Sequence, residues 1–294
     1  MARRTRKTVI STLRQRVLLF ALLVAMLKVG TIKKGDLFPG VIKCTRRVVT
    51  TLAGNAPQHV QWPDMRRRAA LSSFAKDAYG FDWCIGATDG TTFPLAYQPA
   101  LHPWAYFDRK QWYSVSGLIT CDWDCYITNI VLGCTGAAPD TYVQSTAEWH
   151  CRPSIIFTAG QYLLGDKGML YSRNVVGPFK EPECNCPRHR NYNYQAAQLL
   201  VKSEHAIGIL KGRWTSLKEL RLALASDRQF SFCMSWIMAC VVLQNVCIKV
   251  GDNFSDQPVP EPSPESAVLP VEVALVRRQQ VIDMVCTFMK ETGP

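Results

Sequence analysis

The stretch CIGATDGTTFPL, residues 84–95, constrains this chain more than any other. An apolar run from Trp83 to Ala87 gives way to Asp89, and Gly90 follows at once. A short apolar run closed by a turn signal predicts a buried strand, Trp83–Thr88, that delivers a carboxylate at its exit. The arrangement recurs downstream as YLLGDKG, with Asp166 in the same place after a strand over Gln161–Gly165. Taken alone, Asp89 before glycine also reads as a plain turn former. As a pair, the two segments describe an α/β chain that brings acidic groups to one sheet edge.

Further strands are expected at Tyr113–Cys121 and Tyr126–Leu132. Helices are expected over Val17–Val29, Val41–Leu52, Met65–Phe74, Gln195–Leu220, Phe230–Val250 and Val271–Met289. In the long one, Leu199, Ser203, Ala206, Leu210 and Leu217 mark the buried stripe, and Glu204 lies beside it with Leu200, Ile207 and Lys211. Gly177–Asn193 reads as a loop without periodicity. Arg66, Arg67 and Arg68 are expected on the exposed side of their helix. The segment HPWAYFDRKQWY alternates rings with Arg109 and Lys110. Such a loop suits stacking on bases and neutralising phosphates, or else rings packed beneath long cationic stems; the composition leaves both open.

Charge is concentrated at one end. The first fifty residues hold twelve Lys and Arg, Lys43, Arg46 and Arg47 among them, against Asp36 alone, which accounts for the whole net charge of +11. An arm of that kind suits a polyanion, nucleic acid before anionic membrane, although a solvated basic tail has the same composition. Helix, short turn and basic helix across residues 17–52 outline a helix-turn-helix. Val17–Leu27, eleven apolar residues between Arg16 and Lys28, is too short to span a bilayer but fits either a buried helix or a signal-peptide core. The twelve cysteines are irregularly spaced and include no C-x-x-C, which argues against a disulfide scaffold and for a reducing compartment. Cys184 and Cys186 with His189 form a poor zinc spacing. The expected organisation is a basic arm at 1–16, a helical DNA-binding region at 17–62, a catalytic domain at 63–250, a Pro-rich acidic linker at 251–269 and a C-terminal helix at 270–294.

Four carboxylates stand out: Asp89, Asp140 after the turn GCTGAAP, Asp166, and Glu204 beside the apolar stripe. Ionised carboxylates near a core are costly unless paired or bound to a metal. Oxygen-only donors select a hard ion, Mg²⁺ or Mn²⁺. Two such ions suit phosphodiester displacement.

ATDGTTFPL, YFDRKQWYSVSGLITCD, YLLGDKG and KSEHAIGILKGRW, in that order, with VQWP before them and VVLQNVC after, resemble the Harbinger-type (PIF/Harbinger) DDE transposases and their domesticated nuclease relatives. The resemblance runs with gaps from Val17 to Ile248. It implies a ribonuclease-H-like fold, a mixed sheet flanked by helices, with a degenerate helix-turn-helix region before it and helices after it. It also implies a catalytic triad of Asp89, Asp166 and Glu204, and a divalent metal held by these and Asp140. DNA would be contacted by Arg109, Lys110, Lys211, Lys43, Arg46 and Arg47, and cut and joined. The same resemblance points to the nucleus, to no membrane, and to a Myb-like DNA-binding partner or a second copy of the chain as company. It makes Val17–Leu27 a buried helix and not a leader. The chain departs from the family pattern at Leu200, where an Arg is usual, at Met169, where a Tyr is usual, and in GAAPD, which lacks the usual basic and His character; the helix-turn-helix region is also short. Those departures keep a second reading in view, a DNA-binding protein that retains the fold without the catalysis.

Overall fold

The computed structural model describes residues 39–252 and 279–287. The basic arm, the apolar helix expected at Val17–Val29 and the proline-rich stretch of the linker fall outside those residues. A five-stranded mixed sheet organises the rest, in the order β3-β2-β1-β4-β5. Strand β1 (Cys84–Pro94) pairs antiparallel with β2 (Ser114–Cys121), which pairs antiparallel with β3 (Ile127–Thr135). On its other side β1 runs parallel to β4 (Tyr162–Gly165), and β4 runs parallel to β5 (Val175–Val176).

The period of two along each strand sorts the core into two faces. Leu118, Leu163 and Val175 point to one side, into a cluster with Val143, Trp149, Phe157 and the buried Met169. Their neighbours Ile119, Leu164 and Val176 point to the other, beneath the long helices. All eight residues of β2 are buried, as expected of a strand covered on both faces.

Helix α1 (Pro39–Gly54) packs through Val49 into the cluster built on the apolar helix α5 (Asp227–Lys249), leaving Lys43, Arg46 and Arg47 exposed. The second helix of the expected helix-turn-helix is therefore docked against α5. Helix α2 (Met65–Tyr79) starts at Asp64, whose side chain accepts from the Arg67 amide at 2.7 Å, and stops at Gly80 in the left-handed region with φ 78°. Helix α3 (Asp140–Ser145) is a short piece after β3. Helix α4 (Pro187–Arg213) is longer at its start and shorter at its end than the apolar periodicity predicts. Pro187 fits the first turn of a helix, where no amide partner is required, so a proline taken as loop punctuation instead opens the helix. Leu217 of the expected stripe is buried in a separate turn, Thr215–Leu217.

Other differences have equally local causes. The Val175–Val176 strand is too short to carry a periodic signal. Arg67 is not simply a solvated face: it bridges Asp122 at 2.7 Å and Asp124 at 2.6 Å. Arg68 donates to the Ile156 carbonyl at 3.1 Å and to Gln161 Oε1 at 2.8 Å. Residues 279–287 are helical, and Val281, Ile282 and Val285 join the cluster that holds Leu71, Tyr192, Leu199 and Leu200. The string VVLQNVC acquires a mechanical meaning. Buried Asn245 accepts from the Ile127 amide at 2.9 Å and donates to the carbonyls of Ile127 at 2.7 Å and His59 at 2.8 Å, so α5 clamps the start of β3 to the segment before VQWP. The whole is a mixed α/β structure of the ribonuclease-H-like kind, a five-strand sheet flanked by helices.

Candidate functional site

Strand β1 does not end at Asp89. It continues five residues further, to Pro94, because β2 stays paired with it: Asp89 faces Ile119 and Pro94 faces Ser114. What ends beside Asp89 is β4. Thr88 is in register with Gly165, so Asp166 leaves the sheet at the level of Asp89. The site is made by one parallel strand stopping while its neighbour runs on.

Alternation along β1 then distributes the functional groups. Ala87, Asp89, Thr91 and Phe93 share the face beneath α4, and Gly90 faces the α3 side. On α4, Glu204 and Lys211 are two turns apart and so lie on one stripe. Lys211 donates to Thr91 Oγ1 at 2.6 Å and to the Thr92 carbonyl at 2.8 Å, with its ammonium 5.3 Å from the centre of the Phe93 ring. Burial and the neighbouring Lys110 lower its pKa to about 8, against the pull of Asp89. Lys211 was expected to face phosphate; it fastens α4 to the far half of β1.

A side chain at position 90 would meet the Asp140 carboxylate. A Cβ built there would lie 2.6 Å from Cγ of Asp140 and 3.0 Å from its Oδ2. The Asp140 carboxylate therefore rests directly on the β1 backbone, next to Asp89. Its exposed neighbour Arg109 pulls its pKa down, while burial and Asp166 push it up, and burial wins.

The other three acidic groups all act on Asp89. Burial raises the Asp89 pKa to about 7, reinforced in turn by Asp166, Glu204 and Asp140, with the Gly90 amide opposing. Glu204 is likewise raised, by burial and then by Asp166. Asp89 remains partly open to solvent and Asp166 is exposed, so the cluster reaches the surface and is not inside a sealed core. Like charges gathered in this way lower the barrier to taking up a cation. The donors are all hard oxygens, which fits Mg²⁺ or Mn²⁺ and not zinc. Among the described residues no three Asp, Glu, His or Cys side chains stand close enough to ligate one ion as placed, so the carboxylates must draw together to do so.

The zinc spacing is not realised. Cys184 Sγ donates to Glu181 Oε1 at 3.0 Å, and His189 stacks on Phe179 with ring centres 3.8 Å apart. None of the twelve cysteines is paired in a disulfide.

Two further buried carboxylates were not singled out in the sequence. Asp108 accepts from the amides of Lys110 and Trp112 and from the Ser114 hydroxyl, at 2.8, 3.1 and 2.7 Å. Asp122, one residue beyond β2, accepts from Arg67 and from the amides of Asp124 and Tyr126, the last two at 3.0 Å. Both hold loops in place. Their only signal in the sequence is an Asp ahead of a tight turn, which Asp89 shares.

A family model described as DDE superfamily endonuclease matches residues 88–245, more than half of the chain. No curated protein and no solved structure matches it. The match begins beside Asp89, ends at the Asn245 clamp, and takes in all four carboxylates, four of the five strands in full and most of β1. By this match, the chain belongs to the DDE superfamily endonucleases.

Proposed function

We propose that the protein is a metal-dependent DNA nuclease of the Harbinger type, cutting and joining phosphodiester bonds with Asp89, Asp166 and Glu204 as its catalytic carboxylates and Asp140 as a fourth ligand. The convergence of four carboxylates on the point where β4 ends carries this reading. Endonuclease domains of this superfamily generally use divalent metals. A bound pair of Mg²⁺ or Mn²⁺ ions would supply a lowered pKa for an attacking water or hydroxyl and charge stabilisation for the leaving oxygen.

The chain's own residues supply position. Asp89 and Asp166 are set by strand register, Asp140 by close packing on Gly90, and Glu204 by a helix that Lys211 fastens to Thr91 and Thr92. Arg109 and Lys110, exposed beside the carboxylates, suit the phosphates on either side of the cut. Lys43, Arg46 and Arg47, exposed on α1, suit the flanking duplex. The expected partner is DNA, in the nucleus, with a Myb-like DNA-binding protein or a second copy of the chain assisting recognition.

One observation favours the second reading, a DNA-binding protein without catalysis. Position 200, usually Arg, is a buried Leu in the cluster with Val281, Ile282 and Val285, so a cation of the usual site has been given up to packing. Mg²⁺ and Mn²⁺ titrations with an end-labelled duplex separate the two. Nicking by the purified protein that disappears in Asp166→Asn supports the nuclease; binding without nicking at any metal concentration supports the alternative.

A further inference from the structure

The loop between β1 and β2 exposes rings where a core would bury them. Trp104 is 71% exposed, Trp112 63% and Phe107 46%, with Arg109 and Lys110 exposed among them. The loop is nonetheless firmly held. Asp108, buried, accepts three hydrogen bonds beneath it. Phe107 and Tyr113 form an isolated bridge with their rings 5.5 Å apart. The Ala96 and Ala100 amides donate to the carbonyls of Leu220 and Leu224, both at 2.9 Å. A fixed loop that displays large rings is a binding surface more readily than an unpacked edge.

The surface is continuous with the carboxylates. The Ala137 amide donates to the Ala105 carbonyl at 3.0 Å, tying the loop to the segment that ends in Asp140. Arg109 acts on Asp140, and Lys110 acts on Lys211. Rings with interleaved cations complement a strand whose phosphates are anionic and whose bases are unstacked; a closed duplex hides its base faces and offers the rings nothing to stack on. We infer that Trp104, Phe107 and Trp112 form a stacking platform for unpaired DNA bases next to the bond being cut, with Arg109 and Lys110 on the adjoining phosphates. The inference rests on the reading of the site as one that acts on DNA, and it deepens it: the preferred substrate is a DNA end with a short single-stranded extension.

The test is binding of the full-length protein, in EDTA so that no cleavage intervenes, to a fluorescein-labelled blunt duplex and to the same duplex with a five-nucleotide overhang, read by anisotropy. The overhang should bind about tenfold more tightly, and the Trp104→Ala/Trp112→Ala pair should lose that preference while keeping its affinity for the blunt duplex. Trp104→Phe/Trp112→Phe should restore it, which separates stacking from a general loss of structure. Asp166→Asn should keep the preference, because the platform does not depend on catalysis. An overhang preference that survives the alanine pair, or no preference in the unaltered protein, overturns the inference and leaves the nuclease reading standing. Failure to bind either DNA overturns both. Self-association in sedimentation that the alanine pair abolishes, with no overhang preference, assigns the rings to a second copy of the chain and overturns the inference as well.

Discussion

Asp89 and Asp122 sit in neighbouring strands of one sheet, Asp89 within β1 and Asp122 just beyond β2, and the sheet treats them in opposite ways. Asp122 is 3% exposed and fully served. Burial pushes its carboxyl up, and Arg67 with the amides of Tyr126 and Asp124 pulls it back. Asp89 has the Gly90 amide in its favour, and against it burial and three other carboxylates. A buried charge with its partners in place is a structural feature; one surrounded by its own sign is destabilising unless something else binds there. The difference separates an Asp whose partners are in place from one that a bound cation would relieve.

The largest effect that separates the two is on cleavage. Asp89→Asn or Asp166→Asn should reduce metal-dependent nicking by about three orders of magnitude or more while leaving duplex affinity nearly unchanged. Asp122→Asn should leave nicking per folded molecule within a few fold. Gel assays on the three variants check this, and equal losses at all three positions would erase the distinction. Next in size is Gly90→Ala. The new methyl must displace the Asp140 carboxylate or bend β1, so nicking and stability should both fall, with overpacking costing about 1–3 kcal/mol in a denaturant melt.

Stability sharpens the comparison further. Asp122→Ala strands Arg67 and two turn amides and should cost about 2 kcal/mol by urea unfolding. In metal-free protein Asp89→Asn should do the reverse and raise Tm by a few degrees, a gain of about 1 kcal/mol. Its sign follows from linkage. The folded-state pKa of Asp89, about 7, lies above that of an ordinary unfolded Asp, so the folded state binds more protons between about pH 4 and 7. Stability should accordingly fall as pH rises through that window and level off above it. Asp89→Asn should flatten that part of the curve, and melts in EDTA from pH 4 to 8 measure it.

The same pair shows what the sequence could reveal. Four strands and four long helices announce themselves by periodicity, and the stripe that turns Glu204 toward the sheet is visible in Leu199, Ser203, Ala206 and Leu210. Asp89 and Asp166 could be linked because each follows an apolar run. Their common level in the sheet could not, since it depends on β2 holding β1 straight after β4 stops. The spacing of Lys211 from Glu204 gives its side but not its depth, nor its bonds to Thr91 and Thr92. Asp108 and Asp122 carry the same local pattern as Asp89, and only their amide and Arg67 partners tell them apart. Proline misled at Pro187, where it opens a helix. Leu200 was visible as a departure and a helix was expected over Val271–Met289, but nothing in the sequence said that residues 279–287 would pack into the cluster that holds Leu200.

The carboxylates at the end of β4 are proposed here as a site for a hard divalent cation. Titration of the purified protein with Mn²⁺, followed by electron paramagnetic resonance of the free ion, tests it without requiring activity. Saturable binding is expected, lost in Asp89→Asn and Asp166→Asn and retained in Asp122→Asn. Equal binding by all of these proteins, or none by the unaltered one, would contradict it.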